Sequence, residues 1–205
     1  MLIVIGFLLF FYVLIQYSGA RANRKIRKEK DAFWQKEYQA NSTRKVDLSG
    51  LDYIAIPMDS LPFAETAEEP LLSIQNNIRN LYRKPILNLT GISNTDLKLK
   101  YGVANITFLV QCDNNYTLLV KNLYNWGSCL YEQNKWKEAV TVLEYGIKCR
   151  TDIRKNYTLL AELYKDLNVP EKINDLLLAA ESLNSLSKDT IIAALKEIKM
   201  SYYLV

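Results

Sequence analysis

The residue types that most often carry chemistry are scarce in this chain of 205 residues. It contains no histidine, which removes the commonest general base, the commonest metal ligand and every Ser-His or Cys-His nucleophile. Cys112, Cys129 and Cys149 are odd in number and form no CxxC motif, so we expect buried free thiols rather than disulfides or a zinc site. Asp52 and Asp59 could form a carboxylate pair, but nothing in their surroundings would fix its geometry. We therefore predict no catalytic, cofactor-binding or metal-binding residue, and no enzyme activity.

The N-terminus carries an uncharged stretch that is long enough to span a bilayer. Residues 2–15 are apolar apart from Gly6 and the hydroxyl of Tyr12, and the first charged residue is Arg21. A helix of about 20 residues covers roughly 30 Å, which is the thickness of the hydrocarbon core. No positive charge precedes the run, which favours a retained anchor over a cleaved signal peptide. We predict a transmembrane anchor over residues 1–19, with residues 2–17 in contact with the lipid bilayer.

Charge is distributed unevenly behind this stretch. Residues 21–45 carry nine basic and three acidic residues, whereas residues 46–78 carry six acidic residues and no basic one. The basic residues nearest the anchor, which we assign to the membrane surface, are Arg21, Arg24, Lys25, Arg27, Lys28 and Lys30. We therefore predict a single-pass protein of the cell membrane. By the positive-inside rule, its N-terminus is expected outside the cell and its C-terminal domain is expected in the cytoplasm. The formal net charge of +4 is too small to indicate nucleic-acid binding.

Local signals divide the rest of the chain. Residues 20–40 predict a basic juxtamembrane helix, and residues 41–65 predict an extended acidic and apolar linker, because Pro57 and Pro62 prevent a helix there. Residues 66–205 predict a helical domain, and the whole chain is therefore all-α.

Three positions are predicted to begin helices of this domain. Thr66 with Glu69 and Ser93 with Asp96 form capping boxes. Asp113 is a plausible N-cap for a long helix that ends near Gln133.

An internal repeat with a period of about 34 residues is the most informative pattern. When the chain is compared with itself at this offset, large residues match large ones and small residues match small ones. The matched pairs are Leu123 with Tyr157, Trp126 with Leu160, Gly127 with Ala161, Leu130 with Tyr164, Asn134 with Asn168, Leu143 with Leu177 and Gly146 with Ala180. We call the offset that joins the two members of each pair the repeat period.

These positions resemble the tetratricopeptide repeat family over residues 116–185. Trp126-Gly127, Tyr131, Ala139, Leu143 and Gly146 stand where that family's consensus residues stand. The resemblance implies a right-handed stack of antiparallel helix pairs, with repeats at about 120–151 and 154–185 and a capping helix at about 188–201. Thr151 and Ser185 occupy the places of the family's closing proline. The whole chain also resembles single-pass, membrane-anchored TPR-like proteins of Gram-positive anaerobes, a resemblance that implies no particular activity.

The resemblance also implies a groove lined by the first helix of each pair. The residues that fall on the groove positions are Lys121, Tyr124, Ser128 and Tyr131, followed by Lys155, Thr158, Glu162 and Lys165. The family's carboxylate clamp is not reproduced, because Tyr124 and Ser128 replace the expected Lys and Asn. The set is mildly basic and aromatic, which suits an acidic or apolar extended segment.

We therefore expect a membrane-tethered scaffold or adaptor module that binds a protein or peptide partner on the cytoplasmic face. The alternatives are an extracytoplasmic factor for assembly or secretion, with inverted topology, and a histidine-free enzyme that uses carboxylates or Tyr. We also hypothesise that the acidic segment 46–69 fills the groove of its own chain. The alternative is that this segment packs elsewhere and completes the core.

Overall fold

The computed structural model describes residues 2–64 and 66–203, although most side chains between Leu2 and Ala22, and that of Tyr203, lie outside the described part. The all-α prediction is confirmed, because every regular element in the described residues is a helix. The helices are α1 Leu2–Ser42, α2 Leu71–Leu81, α3 Asn94–Tyr101, α4 Ile106–Glu132, α5 Trp136–Lys148, α6 Arg154–Asp166, α7 Ile173–Glu181 and α8 Lys188–Tyr203. Two short 3₁₀ turns, Val103–Asn105 and Pro170–Lys172, precede α4 and α7.

The predicted anchor over residues 1–19 rests on side chains that mostly lie outside the described residues. Among the residues that are described, no helix combines the length and the apolar character needed to cross a membrane.

The chain divides into two compact units. One contains α1 to Asp47 together with Ser93–Ile106, and the other contains Leu48–Ile92 and the chain from Thr107 onward. The sequence placed residues 93–106 in the same domain as the rest of 66–205, whereas the structure groups them with α1. The reason lies in contacts such as that of Lys36 with Asp96, which are so distant in sequence that no local pattern encodes them.

The smaller unit is held together by charge pairs between α1 and α3. Lys36 Nζ lies 2.6 Å from Asp96 Oδ1, and Glu37 accepts hydrogen bonds from Lys98 Nζ and from Thr95 Oγ1. These bonds hold the pKa of Glu37 and that of Asp96 below their usual values. Ala40 is fully buried, so the last turns of α1 have an apolar contact as well as the ion pairs.

In the larger unit, the repeat period reappears in the backbone. Asn134 and Asn168, just after α4 and α6, adopt φ of 59° and 58°. At both turns the same pair of bonds forms, from Asn134 N to Tyr131 O and Lys135 N to Leu130 O, and from Asn168 N to Lys165 O and Val169 N to Tyr164 O. This is the Schellman pattern, in which a left-handed residue ends a helix and reverses the chain. The first helices of the two predicted repeats, α4 and α6, thus end in the same geometry.

Segment 48–70 lies against the core of this unit. Ile56 and Leu61 are buried, and the ring of Phe63 lies 4.7 Å from that of the buried Trp126. Tyr145 Oη on α5 donates to Ala55 O at 3.1 Å, and Ile54 N donates to Ile86 O at 2.9 Å. None of these partners belongs to the predicted groove set. The contacts fit the alternative in which the segment completes the core, and they give no support to the groove-filling hypothesis.

Candidate partner-binding face

The predicted groove residues of α4 and α6 share a spacing and an exposure profile. Within each helix they follow one another at three, four and three residues, which keeps them on one side of the helix. The first of the four, Lys121 in α4 and Lys155 in α6, is exposed, and the other three in each helix are half-buried. We call these eight residues the repeat face.

Small residues at the helix contacts fix the position of α5 between α4 and α6. A Cβ placed on Gly127 would lie 2.5 Å from Leu143 Cγ and Cδ2, so α4 and α5 meet where only glycine fits. A Cβ on Gly146 would lie 2.9 Å from Asn156 Oδ1, and Asn156 Nδ2 donates to Leu143 O at 3.1 Å. Gly127 and Gly146 were predicted as small positions of the repeat, and both lie at close approaches between helices.

Hydrogen bonds from tyrosines complete this arrangement. Tyr164 Oη on α6 donates to Glu144 Oε1 on α5 at 2.8 Å, and Tyr116 Oη on α4 donates to Arg150 O at 2.9 Å. Burial, with a smaller contribution from the charge of Asp152, raises the pKa of Tyr157 to about 12. Burial also raises the pKa of Tyr116 and that of Tyr164. These phenols are therefore neutral at physiological pH and act as structural groups rather than as bases.

The charges on the repeat face are only partly neutralised. Lys165 Nζ lies 3.1 Å from Glu162 Oε2 and also donates to Ser201 Oγ on α8. Lys121 and Lys155 form no ion pair with any residue in 2–64 or 66–203. The face therefore contains two ammonium groups without an ion pair, together with the half-buried rings of Tyr124 and Tyr131 on α4.

The cysteines are free and buried, as the sequence predicted. Burial raises the pKa of all three thiols, to about 11 for Cys149. A thiol with a raised pKa stays protonated at neutral pH and is a poor nucleophile. These side chains therefore act as small apolar groups of the core.

A polar cleft of about 330 Å³, which the sequence analysis missed, opens at the loops that follow α5 and α7. Its lining residues include Asp52, Lys148, Arg150 and Asp152, and Asp152 Oδ2 accepts a hydrogen bond from Ser185 Oγ at 2.6 Å. Asp59 is not among the lining residues, so the cleft does not bring Asp52 and Asp59 together. Four separate loops build the cleft, and no spacing in the sequence signals it. Its charges are of both signs and balance, so it defines no ligand class.

The basic residues assigned to the membrane surface, Arg21, Arg24, Lys25, Arg27, Lys28 and Lys30, are all exposed on α1. Only Lys25 has an ion partner in the part of the chain that the structure describes, Glu29 at 3.9 Å. In the same part of the chain, no group of three His, Cys, Asp or Glu residues is arranged to hold a metal ion.

Comparison of the chain with protein-family models, with curated proteins and with solved structures gave no match. The class of protein must therefore be inferred from the repeat geometry and the repeat face themselves.

Proposed function

We propose that this chain is a membrane-tethered protein–protein interaction module of the tetratricopeptide type, which binds an extended peptide or partner surface on its repeat face. The observation that carries the proposal is the recurrence, at the repeat period, of both the helix-ending turns and the exposure profile of that face. Stacked helix pairs of this kind expose the same positions of successive repeats side by side, which creates an extended binding surface.

The tether is the second part of the proposal. The uncharged run before Arg21 supplies the anchor, and the six exposed basic residues that follow it keep the body of the protein on the cytoplasmic side. A binding face held near the membrane would gather its partner there, which is what a scaffold or adaptor does.

Blocking the face with a bulky side chain tests the binding function. Thr158 lies on the repeat face and Thr141 lies exposed on α5, and each hydroxyl donates to a backbone carbonyl of its own helix. Proteins captured by the full chain from detergent-solubilised membranes should be lost with Thr158→Trp and retained with the matched variant Thr141→Trp. Quantitative mass spectrometry reads the outcome. If the two variants capture the same proteins as the unaltered chain, the repeat face is not the binding surface.

A reporter that is active only in the cytoplasm, fused after Val205, tests the tether. The proposal requires an active reporter in the membrane fraction. A well-expressed but inactive reporter would indicate inverted topology. An active reporter in the soluble fraction would show that the chain has no membrane anchor.

A further inference from the structure

The last helix repeats the geometry of the first helix of each pair. α8 begins at Lys188, which lies one repeat period after Arg154 at the start of α6. The residues just before both helices also form the same turn. Ile153 N donates to Thr151 Oγ1 at 3.2 Å, and Ser187 N donates to Ser185 Oγ at 3.2 Å. In each case a hydroxyl side chain makes a local turn that directs the chain into the next helix.

The buried faces of the three helices match as well. Leu123 on α4, Tyr157 on α6 and Ile191 on α8 succeed one another at the repeat period, and all three are 0% exposed. α4, α6 and α8 therefore bury equivalent sides in the core. Because Lys165 Nζ on α6 lies 3.1 Å from Ser201 Oγ, α6 and α8 are direct neighbours.

This register identifies four residues of α8 that continue the repeat face. They are Asp189, Ile192, Lys196 and Lys199. Asp189 is exposed like Lys121 and Lys155, and Ile192 is half-buried like Tyr124 and Thr158. Lys199 is half-buried like Tyr131 and Lys165, whereas Lys196 is exposed where Ser128 and Glu162 are half-buried. Three of the four positions thus match in exposure, which indicates that α8 contributes to the face and does more than close the end of the stack.

The extended face has a definite charge. Its twelve positions contain five lysines against Glu162 and Asp189. Glu162 is bound to Lys165, and Lys199 Nζ donates to the neutral amide of Asn174 at 2.8 Å. Lys121, Lys155 and Lys196 have no ion partner among the described residues. One ammonium group without an ion pair thus lies on each of α4, α6 and α8.

We infer that the repeat face extends across α4, α6 and α8 and takes an extended acidic peptide segment, whose carboxylates meet these three lysines. The inference rests on the proposed binding function and names the chemistry of its partner. Neighbouring helix axes lie about 8–10 Å apart, and an extended chain advances roughly 3.3 Å per residue. Lys196 lies seven positions further along α8 than Lys155 does along α6, which is about 10 Å at 1.5 Å per residue. Carboxylates about four residues apart, on a segment that crosses the face obliquely, would therefore reach these two lysines. The described contacts of the acidic segment 46–69 of the same chain include those with Tyr145, Trp126 and Ile86, which are not residues of this face, so they do not support that segment as its occupant.

The test measures the binding of a defined peptide to the full chain in neutral detergent by fluorescence anisotropy. The probe is a fluorescein-labelled (Glu-Ser-Tyr)5 peptide, and its charge control is the (Gln-Ser-Tyr)5 peptide. The acidic probe should bind and should weaken as salt increases, since salt screens exposed charges. Lys155→Glu and Lys196→Glu should each weaken it by about tenfold or more, which corresponds to about 1.4 kcal/mol. Lys137→Glu makes the same change in net charge at an exposed position of α5, and it should change the affinity for the acidic probe by no more than about twofold.

Each contrary outcome identifies which part has failed. If Lys155→Glu weakens binding but Lys196→Glu does not, α8 is not part of the face, and the proposed function survives. If the Gln peptide binds as tightly as the Glu peptide, the partner is not recognised by its acidic residues. The same conclusion follows if neither peptide binds while Thr158→Trp still abolishes partner capture. If Lys137→Glu weakens binding as much as the other two, the attraction is to net charge and not to this face. Lys196→Gln, a milder change, repeats the test if a reversed charge disturbs folding.

Discussion

Gly127 of α4 and Leu143 of α5 are packed so closely that a methyl group on the glycine would lie 2.5 Å from two carbon atoms of the leucine. Leu143 is fully buried, so it has little room to yield. The pair marks a close approach of the two helices of the first repeat. Ala161 on α6, one repeat period after Gly127, is also fully buried.

The first prediction follows from this contact. Gly127→Leu and Ala161→Leu should each lower the free energy of unfolding by about 1–3 kcal/mol or more, because a closely packed core cannot accept the added volume. Ala193→Leu makes the same change as Ala161→Leu at an exposed position of α8 and should stay within about 0.5 kcal/mol. Urea unfolding of the full chain in detergent, followed by circular dichroism, measures all three. Unchanged stability for both buried variants would contradict the helix-pair packing.

A second prediction concerns the two helix-ending asparagines. Asn134 and Asn168 hold left-handed backbone conformations that alanine adopts at a cost of about 1–2 kcal/mol and glycine adopts freely. Asn134→Ala and Asn168→Ala should therefore destabilise the chain by similar amounts, whereas the two Gly variants should be nearly neutral. Asn114→Ala, at an exposed position within α4, serves as the control and should be neutral or slightly stabilising. If alanine and glycine are equivalent at both turns, the left-handed geometry is absent in solution.

These positions illustrate what the sequence could predict. The capping box at Ser93 is confirmed, since Ser93 Oγ accepts a hydrogen bond from Asp96 N at 3.2 Å. The helix that it begins ends at Tyr101 and is followed by Gly102, whose φ is 87°. The free, buried cysteines and the small residues of the repeat were also predictable, because each depends on residue type and on short or regular spacing.

Other helix starts were predicted wrongly. α2 begins at Leu71 after Pro70, with no side-chain cap, so the capping box at Thr66 is not used. α4 begins at Ile106 rather than near Asp113, and Asp113 Oδ1 instead accepts a hydrogen bond from Leu89 N at 3.2 Å. The carboxylate of Asp113, which the local motif assigns to the start of a helix, is thus occupied by the backbone of a residue that is distant in sequence. A single sequence does not reveal such a long-range partner. The polar cleft and the pairing of α1 with α3 escaped prediction for the same reason.

A third prediction uses the pairing of α1 with α3. The pKa of Glu37 is lowered chiefly by its hydrogen bond from Lys98, and that of Asp96 by its hydrogen bond from Lys36. A carboxylate with a lowered folded-state pKa stabilises the fold above its unfolded pKa, which is about 4, and loses this contribution as pH falls through the folded value. The amide protection of residues 94–101 against hydrogen exchange should therefore decline below about pH 4.

Two variants isolate the cause of that decline. Glu37→Gln combined with Asp96→Asn should give lower protection that no longer changes over this pH range, whereas Glu29→Gln, at an exposed position on α1, should behave like the unaltered chain. Mass spectrometry measures the protection, which is corrected for intrinsic exchange at each pH. If protection in the unaltered chain does not depend on pH, these carboxylates do not hold the smaller unit together.

Site-specific photocrosslinking in the cell can establish whether a partner binds on the repeat face. A benzophenone amino acid replaces Tyr124 or Tyr131 on the face, or Tyr82, an exposed tyrosine beside α2, as the matched control. We expect discrete adducts from the two face positions, their loss when Thr158→Trp is added, and no adduct from Tyr82. Adducts from Tyr82 alone, or adducts from the face that persist with Thr158→Trp, would contradict the proposed function.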